Sequence, residues 1–324
     1  MVVSQRPSAG NAKEGDLYPD LAALGVPEGR FVELPGRGRT FVREIPGPPG
    51  APVLILLHGL SATGGTNWAG AFGALGDRYR VIALDHRGHG QGIRCAHFRL
   101  ADCADDVVAL ADVLGIDQFI PVGYSMGGPI AQLVWHRHRS RVSAMVLCAT
   151  SRDFRGRLDD RLLFLGVGTL NLGLHGVPRP LRMKGWQAVA RAMAGGFATR
   201  ELRRWSAVEL SRHDPRLVCE AALAVGSFSS RGWIDGVDVP VAVIATEHDQ
   251  LVPLRRQIKL ADHIPSAVLH PVSGDHFAVT RQADQFIAAL SESCDEVIGR
   301  GARWRMSTVA TGDGEDDGGL AETA

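Results

Sequence analysis

The sequence lacks paired cysteines, a long apolar run, an excess of either charge and, almost entirely, lysine. Its five cysteines (Cys95, Cys103, Cys148, Cys219, Cys294) are scattered and contain no C-x-x-C spacing. That excludes a disulfide framework or a zinc site and fits a reducing compartment. The uncharged, leucine-rich run from Leu162 to Pro178 is broken by Gly166, Gly168, Asn171, Gly173, His175 and Gly176. It is too short and too interrupted to span a bilayer. Met1 to Tyr18 is polar and has no apolar segment of the signal-peptide kind. The expectation is a cytoplasmic protein without stable membrane insertion. With 35 basic and 35 acidic residues in 324, no overall electrostatic drive toward nucleic acid exists. Only Lys13, Lys184 and Lys259 are lysine; the arginines that replace them elsewhere form no cluster and carry no functional meaning.

What the chain does have is apolar side chain, 45 % of its residues, enough for a large core. Phe31–Leu34 and Thr40–Arg43 flank Pro35-Gly36-Arg37-Gly38 and read as a hairpin. Short, almost purely apolar runs follow at Val53–Leu57, Val81–Leu84, Phe119–Val122, Val142–Ala149, Val239–Ala245 and Val268–Pro271. Strands apolar on both faces belong to a parallel sheet buried under two helix layers. Helical patterns alternate with them, Ala101–Leu114 and Pro129–His138 among them, which predicts an α/β domain. The alternation stops over residues 151–231, where only helical patterns occur. This block predicts an inserted helical cap, with 14 basic and 7 acidic residues. The division expected is a flexible arm (1–20), a core (21–150 and 232–300), the cap (151–231) and a disordered acidic tail (301–324). Within the cap, Leu162 to Leu174 is apolar yet rich in glycine, each costing a helix roughly 1 kcal/mol against alanine. It reads as a loose segment, either a movable pocket wall or cap core.

Gly123-Tyr124-Ser125-Met126-Gly127 matches G-x-S-x-G. The pattern alone is weak in so glycine-rich a chain, but its context is specific. A buried strand precedes it and a helix opens after it, forcing Ser125 into a tight elbow that glycine at 123 and 127 permits. A serine hydroxyl needs a base to take its proton. Of twelve histidines, His276 follows the final strand run and precedes a helix, at the same sheet edge as Ser125. His270 is its nearest rival and reads as core, while His86, His89, His97, His136, His138 and His213 read as structural positions in loops or on exposed helix faces. The imidazole needs an orienting carboxylate, and Asp249, after the strand Val239–Ala245, leads Glu247, Asp275 and Asp153. Two amides would hold an oxyanion: Met126 N–H, next to the nucleophile, and Leu60 N–H, in the loop after Val53–Leu57. His58-Gly59 by itself reads as a strand-ending turn.

His58-Gly59-Leu60, Asp85-His86-Arg87-Gly88-His89-Gly90, Gly123 to Gly128, His248-Asp249 and Asp275-His276 occur in the order of the α/β-hydrolase family. The chain resembles its cap-bearing branch of esterases and lipases over about residues 30–298. The loop Asp85–Gly90 continues to Gln91-Gly92 where relatives often carry a serine. Serine at 125 points away from relatives with a carboxylate nucleophile. The resemblance implies a mostly parallel sheet flanked by helices, no metal or organic cofactor, and a small-molecule acyl substrate. It implies a serine hydrolase of a carboxylic ester, with Ser125, His276 and Asp249 as catalytic residues. Carbon–carbon bond hydrolysis, perhydrolysis and a non-catalytic binding role remain open at this point, as does the oligomeric state.

Overall fold

A computed structural model describes residues 21–22, 24–154 and 158–312, with 158–161 and 302–312 as backbone only. The expected arm, 1–20, lies outside the described residues. Strands β1 (Gly29–Leu34) and β2 (Gly38–Ile45) form the hairpin anticipated from the sequence. Its turn needs glycine, because φ is 72° at Gly36 and 112° at Gly38. Then come β3 (Val53–Leu57), α1 (Gly64–Trp68), α2 (Ala71–Gly76), β4 (Arg80–Leu84), α3 (Leu100–Val113), β5 (Ile120–Tyr124), α4 (Gly127–Arg137) and β6 (Met145–Cys148). The spatial order of the eight strands is β1-β2-β4-β3-β5-β6, completed by β7 (Val241–Thr246) and β8 (Ala267–Val272). From β4 to β8 every pair is parallel.

The purely apolar strands follow from burial on both faces. In β3, Leu54 and Leu56 pack on one side with Trp68, Phe72 and Leu75 of α1 and α2. Ile55 and Leu57 pack on the other with Val107 of α3 and Ile130 of α4. Helix α9 (Leu254–Asp262) lies between β7 and β8, and the short α10 (Ala278–Arg281) leads into α11 (Ala283–Gly312). The last helix buries Phe286, Leu290, Cys294 and Val297 against the first face. It corrects the expected tail, since the backbone stays helical through Gly312. No proline or glycine interrupts residues 302–311, and the acidic, glycine-rich stretch begins only at 312. Residues 313–324 lie outside the described residues. Because β3 pairs with β4 on one side and β5 on the other, the chain reverses direction across the sheet at β3. Open α/β sheets bind ligands in the crevice beyond the strand ends at such a reversal.

Between β6 and β7 lie four helices, α5 (Leu158–His175), α6 (Arg179–Ala194), α7 (Arg200–Ser211) and α8 (Pro215–Ser227). Their two chain ends are joined at a neck. Ser230 N–H donates to Arg152 O at 2.8 Å, and Arg231 grips Asp153 with bonds of 2.9 and 3.0 Å. Elsewhere the cap is anchored by side chains. Trp205 of α7 is fully buried beside Gly65 of α1, and Leu217 of α8 packs over Gly88. Glu220 accepts the Phe98 amide at 2.9 Å.

The segment Leu162 to Leu174 is one continuous helix, which corrects the expected loose chain. Phe164 packs against Gly226 of α8 at a point where a β-carbon would overlap its ring. That packing outweighs the glycine penalty, since most helix stability in proteins is tertiary. Its opposite side is bare: Leu162, Leu163, Leu165, Leu170 and Leu172 are all more than half exposed. These five leucines are therefore not cap core. The side with Leu162, Leu165 and Leu170, together with Val177 just beyond the helix end, lines an open groove of about 730 Å³.

The anchoring of α7 is measurable. Trp205→Ala is expected to lower the unfolding free energy by about 3–5 kcal/mol, read from urea transitions of the two proteins. A loss below about 1 kcal/mol would show that the cap does not depend on this ring.

Candidate active site

Ser125 occupies the turn between β5 and α4 with φ of 51°, in the left-handed region that side chains rarely enter. Three glycines make the turn passable. A β-carbon at Gly123 would overlap Gly127 O, one at Gly127 would overlap Leu57 O, and one at Gly128 would overlap Thr150. Three bonds of 2.9 Å then pin the strained residue: Ser125 N–H to Cys148 O, Gly128 N–H to Ser125 O, and Thr150 Oγ1–H to Ser125 O. The hydroxyl stands at the N-terminus of α4, where the helix dipole favours negative charge.

The structure brings the three predicted side chains together from three separate loops. Ser125 Oγ lies 2.9 Å from His276 Nε2, and His276 Nδ1 lies 2.7 Å from Asp249 Oδ2. Asp249 is 4 % exposed and held by further donors. Its Oδ1 accepts the amides of Leu251 and Val252 at 2.8 and 2.7 Å, and its Oδ2 accepts the Thr246 hydroxyl at 2.9 Å. With every direction around the carboxylate occupied, it can turn only with its loop. The rival acids sit elsewhere. Asp153 belongs to the neck, Asp275 pairs with Arg281 at 2.6 Å, and Glu247 is exposed. His270 binds Glu296 at 2.9 Å on the far side of β8.

Met126 caps α4, so its N–H precedes the first intrahelical bond. Leu60 follows Gly59, whose absent β-carbon would lie only 3.4 Å from Ser125 Cβ. His58 has a part that sequence reading missed. Its Nδ1–H donates to Gly59 O at 2.8 Å, while its Nε2 accepts the His86 amide at 2.9 Å. Since a trans peptide carries its C=O and N–H on opposite sides, this grip turns the Leu60 N–H away from His58.

His58 is one of four imidazoles buried together; His86, His89 and His213 lie in loops and make structural contacts, as expected, but their burial was not foreseen. Ring centres lie 4.3 Å apart for His58 and His86, 5.4 Å for His58 and His89, and 5.2 Å for His89 and His213. His213 comes from the cap and donates to Ala62 O at 3.0 Å. Loss of hydration, followed by mutual repulsion, holds His58 and His213 well below the usual imidazole range. The same causes take His86 to about 3, and desolvation takes His89 to about 4. Asp85, which accepts Gly64 N–H at 2.9 Å and Gln91 N–H at 2.8 Å, moves the opposite way. Burial and the Glu209 charge raise it to about 7. Among the described residues no group of histidine, cysteine and acidic side chains is arranged to hold a metal ion, and no helix is long and apolar enough to cross a membrane.

A strained serine between a parallel strand and a helix, met by a histidine and an acid from later strands, defines a hydrolase architecture. The chain belongs to the alpha/beta hydrolase fold family, whose family model matches residues 52–234. Among curated proteins it is 28 % identical over 247 residues to one from Caulobacter sp. (strain K31), provisionally named carbamate hydrolase RutD. That match covers 73 % of this chain and 89 % of the relative. Among solved structures, the enol-lactonase from Burkholderia xenovorans LB400 superposes with a TM-score of 0.68 at 22 % identity, over 82 % of this chain and all of that one. The esterase EaEST from Exiguobacterium antarcticum gives 0.67 at 19 % identity, over 82 % and 98 % of the two chains. At these identities the structural likeness is one of fold.

The histidine cluster sets an acid limit. Above about 6.5 these imidazoles are neutral folded or unfolded; below it the unfolded chain takes up protons that the folded one refuses. Their stability is therefore lost as pH falls from 6.5 toward the folded value, about 3 for His86. Asp85 opposes this, its contribution fading as pH rises from 3.8 to about 7. His86 alone should cost about 2 kcal/mol between about pH 7.5 and about pH 5. Urea unfolding at both pH values measures the loss, and His86→Leu should shrink it by that amount. Equal losses in the two proteins would mean that His86 is protonated in the folded state.

Proposed function

We propose that the protein is a serine hydrolase that cleaves a carboxylic ester of a small molecule through an acyl-enzyme on Ser125. The observation that carries this is the relay of 2.9 Å from Ser125 to His276 and 2.7 Å from His276 to Asp249. His276 Nε2 takes the hydroxyl proton as Oγ bonds to the substrate carbonyl carbon, and the carbonyl electron pair moves onto oxygen. Met126 N–H and Leu60 N–H are the proposed donors to that oxyanion. The pair returns as the alcohol leaves with the proton from His276. Water then gives a proton to His276 and its oxygen to the acyl carbon, and collapse releases the acid and restores Ser125. Asp249 holds His276 with Nδ1 protonated and Nε2 free to accept.

A second reading has a specific support. The relative named for carbamate hydrolysis aligns along 89 % of its own length, and a carbamate presents the same carbonyl to the same nucleophile. Rates on matched p-nitrophenyl esters and carbamates separate the two substrate classes.

A fluorophosphonate probe tests the shared step. It should label wild-type protein at Ser125, located by mass mapping, and should leave Ser125→Ala unlabelled. A folded wild-type protein that takes no label removes the hydrolase reading. Asp249→Asn should lose roughly 10³–10⁴-fold in kcat with p-nitrophenyl acetate through the wrong imidazole tautomer, while Asp153→Asn should lose almost nothing. The reverse pattern would move the acid to Asp153.

A further inference from the structure

His276 is fixed from two directions. Its ring is held by Asp249 and Ser125, but its backbone lies in a loop between β8 and the four-residue α10. Helical bonding does not reach its carbonyl: Thr280 N–H and Arg281 N–H both go to Phe277 O, at 2.9 Å each. The partner of the His276 carbonyl is the phenol of Tyr124, whose hydroxyl donates to it at 2.8 Å. One phenol thus holds the loop at the histidine's own carbonyl.

Tyr124 is the residue immediately before the nucleophile. It is 3 % exposed, with its ring edge-on to Phe286 at 5.5 Å and to Trp68 at 6.1 Å. The strained turn at Ser125 sends the nucleophile into the crevice, while β5 sends Tyr124 to the face with α1 and α11. Ser125 and His276 are therefore linked twice, once through Oγ and Nε2 and once through the backbone of residue 124, its phenol and the histidine carbonyl.

We infer that Tyr124 is a positioning residue, whose hydroxyl ties the backbone of the general base to the nucleophile's own strand and so sets the Ser125–His276 distance. The inference rests on the serine-hydrolase reading above. It takes the residue before the serine in G-x-S-x-G as part of the alignment of the site, although the ring itself is buried. Tyr124→Phe keeps the ring and its packing and removes only the clasp. Without it the His276 carbonyl must find another partner, and the loop is free to draw the imidazole away from Oγ. Losing one buried hydrogen bond at this point corresponds to about a tenfold effect on a rate.

The test compares full-length wild type, Tyr124→Phe and Trp68→Phe, the last a change of packing around the phenol that leaves its hydroxyl in place. The readouts are the second-order rate of fluorophosphonate labelling, kcat and KM on p-nitrophenyl acetate, the downfield proton resonance of His276 Nδ1–H, and the thermal midpoint. Tyr124→Phe should label about tenfold more slowly and lose about tenfold in kcat, with KM within twofold, and its Nδ1–H resonance should broaden or shift. Trp68→Phe should melt earlier yet label at the wild-type rate when both are well below their midpoints. Wild-type labelling by Tyr124→Phe overturns the inference while leaving the hydrolase reading in place. So does equal slowing in Trp68→Phe, which would make the effect one of packing. Absence of labelling in wild type removes the reading on which the inference stands.

Discussion

The site depends on a single unfavourable conformation, the left-handed backbone of Ser125. A non-glycine residue there costs on the order of 1–3 kcal/mol and persists only where its surroundings over-determine it. They do so through the neighbouring strand β6, whose end supplies Cys148 O, and through Thr150 beyond it. They also require that Gly123, Gly127 and Gly128 carry no side chain, because backbone or Thr150 already fills each position. From that turn follow the exposure of Oγ, the opening of α4 just behind it, and the burial of Tyr124 on the opposite face.

Much of this was legible in the sequence, for a physical reason. Runs such as Val53–Leu57 are apolar throughout because helices cover both faces, so the central strands and the elbow between β5 and α4 stood out. Ser125, His276 and Asp249 could be ranked because the ends of parallel strands share one edge. What could not be read were contacts between distant segments. Nothing in Gly166, Gly168 and Gly173 reveals that Phe164 packs over Gly226, so α5 looked loose. Histidines are polar letters in a sequence, so the burial of His86, His89 and His213 against His58 was hidden. Asp153 and Asp249 each follow a strand, and only their partners in the fold, Arg231 for the one and His276 for the other, separate them. Tyr124 occupied an unspecified position of a motif, and its bond crosses 152 residues of chain.

The cluster around His58 joins stability to the site. The loop with Gly59 and Leu60 is gripped by an imidazole that stays uncharged, with its proton on Nδ1 because Nε2 accepts the His86 amide. The cap reaches the same loop through His213 and Ala62. Core and cap therefore meet on one short stretch of backbone, the stretch proposed to bind the oxyanion. A charge placed among these rings would disturb both together.

The neck has a consequence for the order of assembly. Strands β6 and β7 are neighbours in the sheet, yet the whole cap intervenes between them in the chain. Pairing them directly means closing one long, unstructured loop, and that cost grows only with the logarithm of loop length, about 0.6 kcal/mol for each doubling. The Asp153–Arg231 pair and the Ser230–Arg152 bond close that loop next to the sheet. Once they form, the helices beyond them add nothing to what β7 must overcome to join β6. Length and composition can then drift inside the insertion while strand register stays fixed, so the part of the molecule over the crevice is free to diversify without renegotiating the fold beneath it.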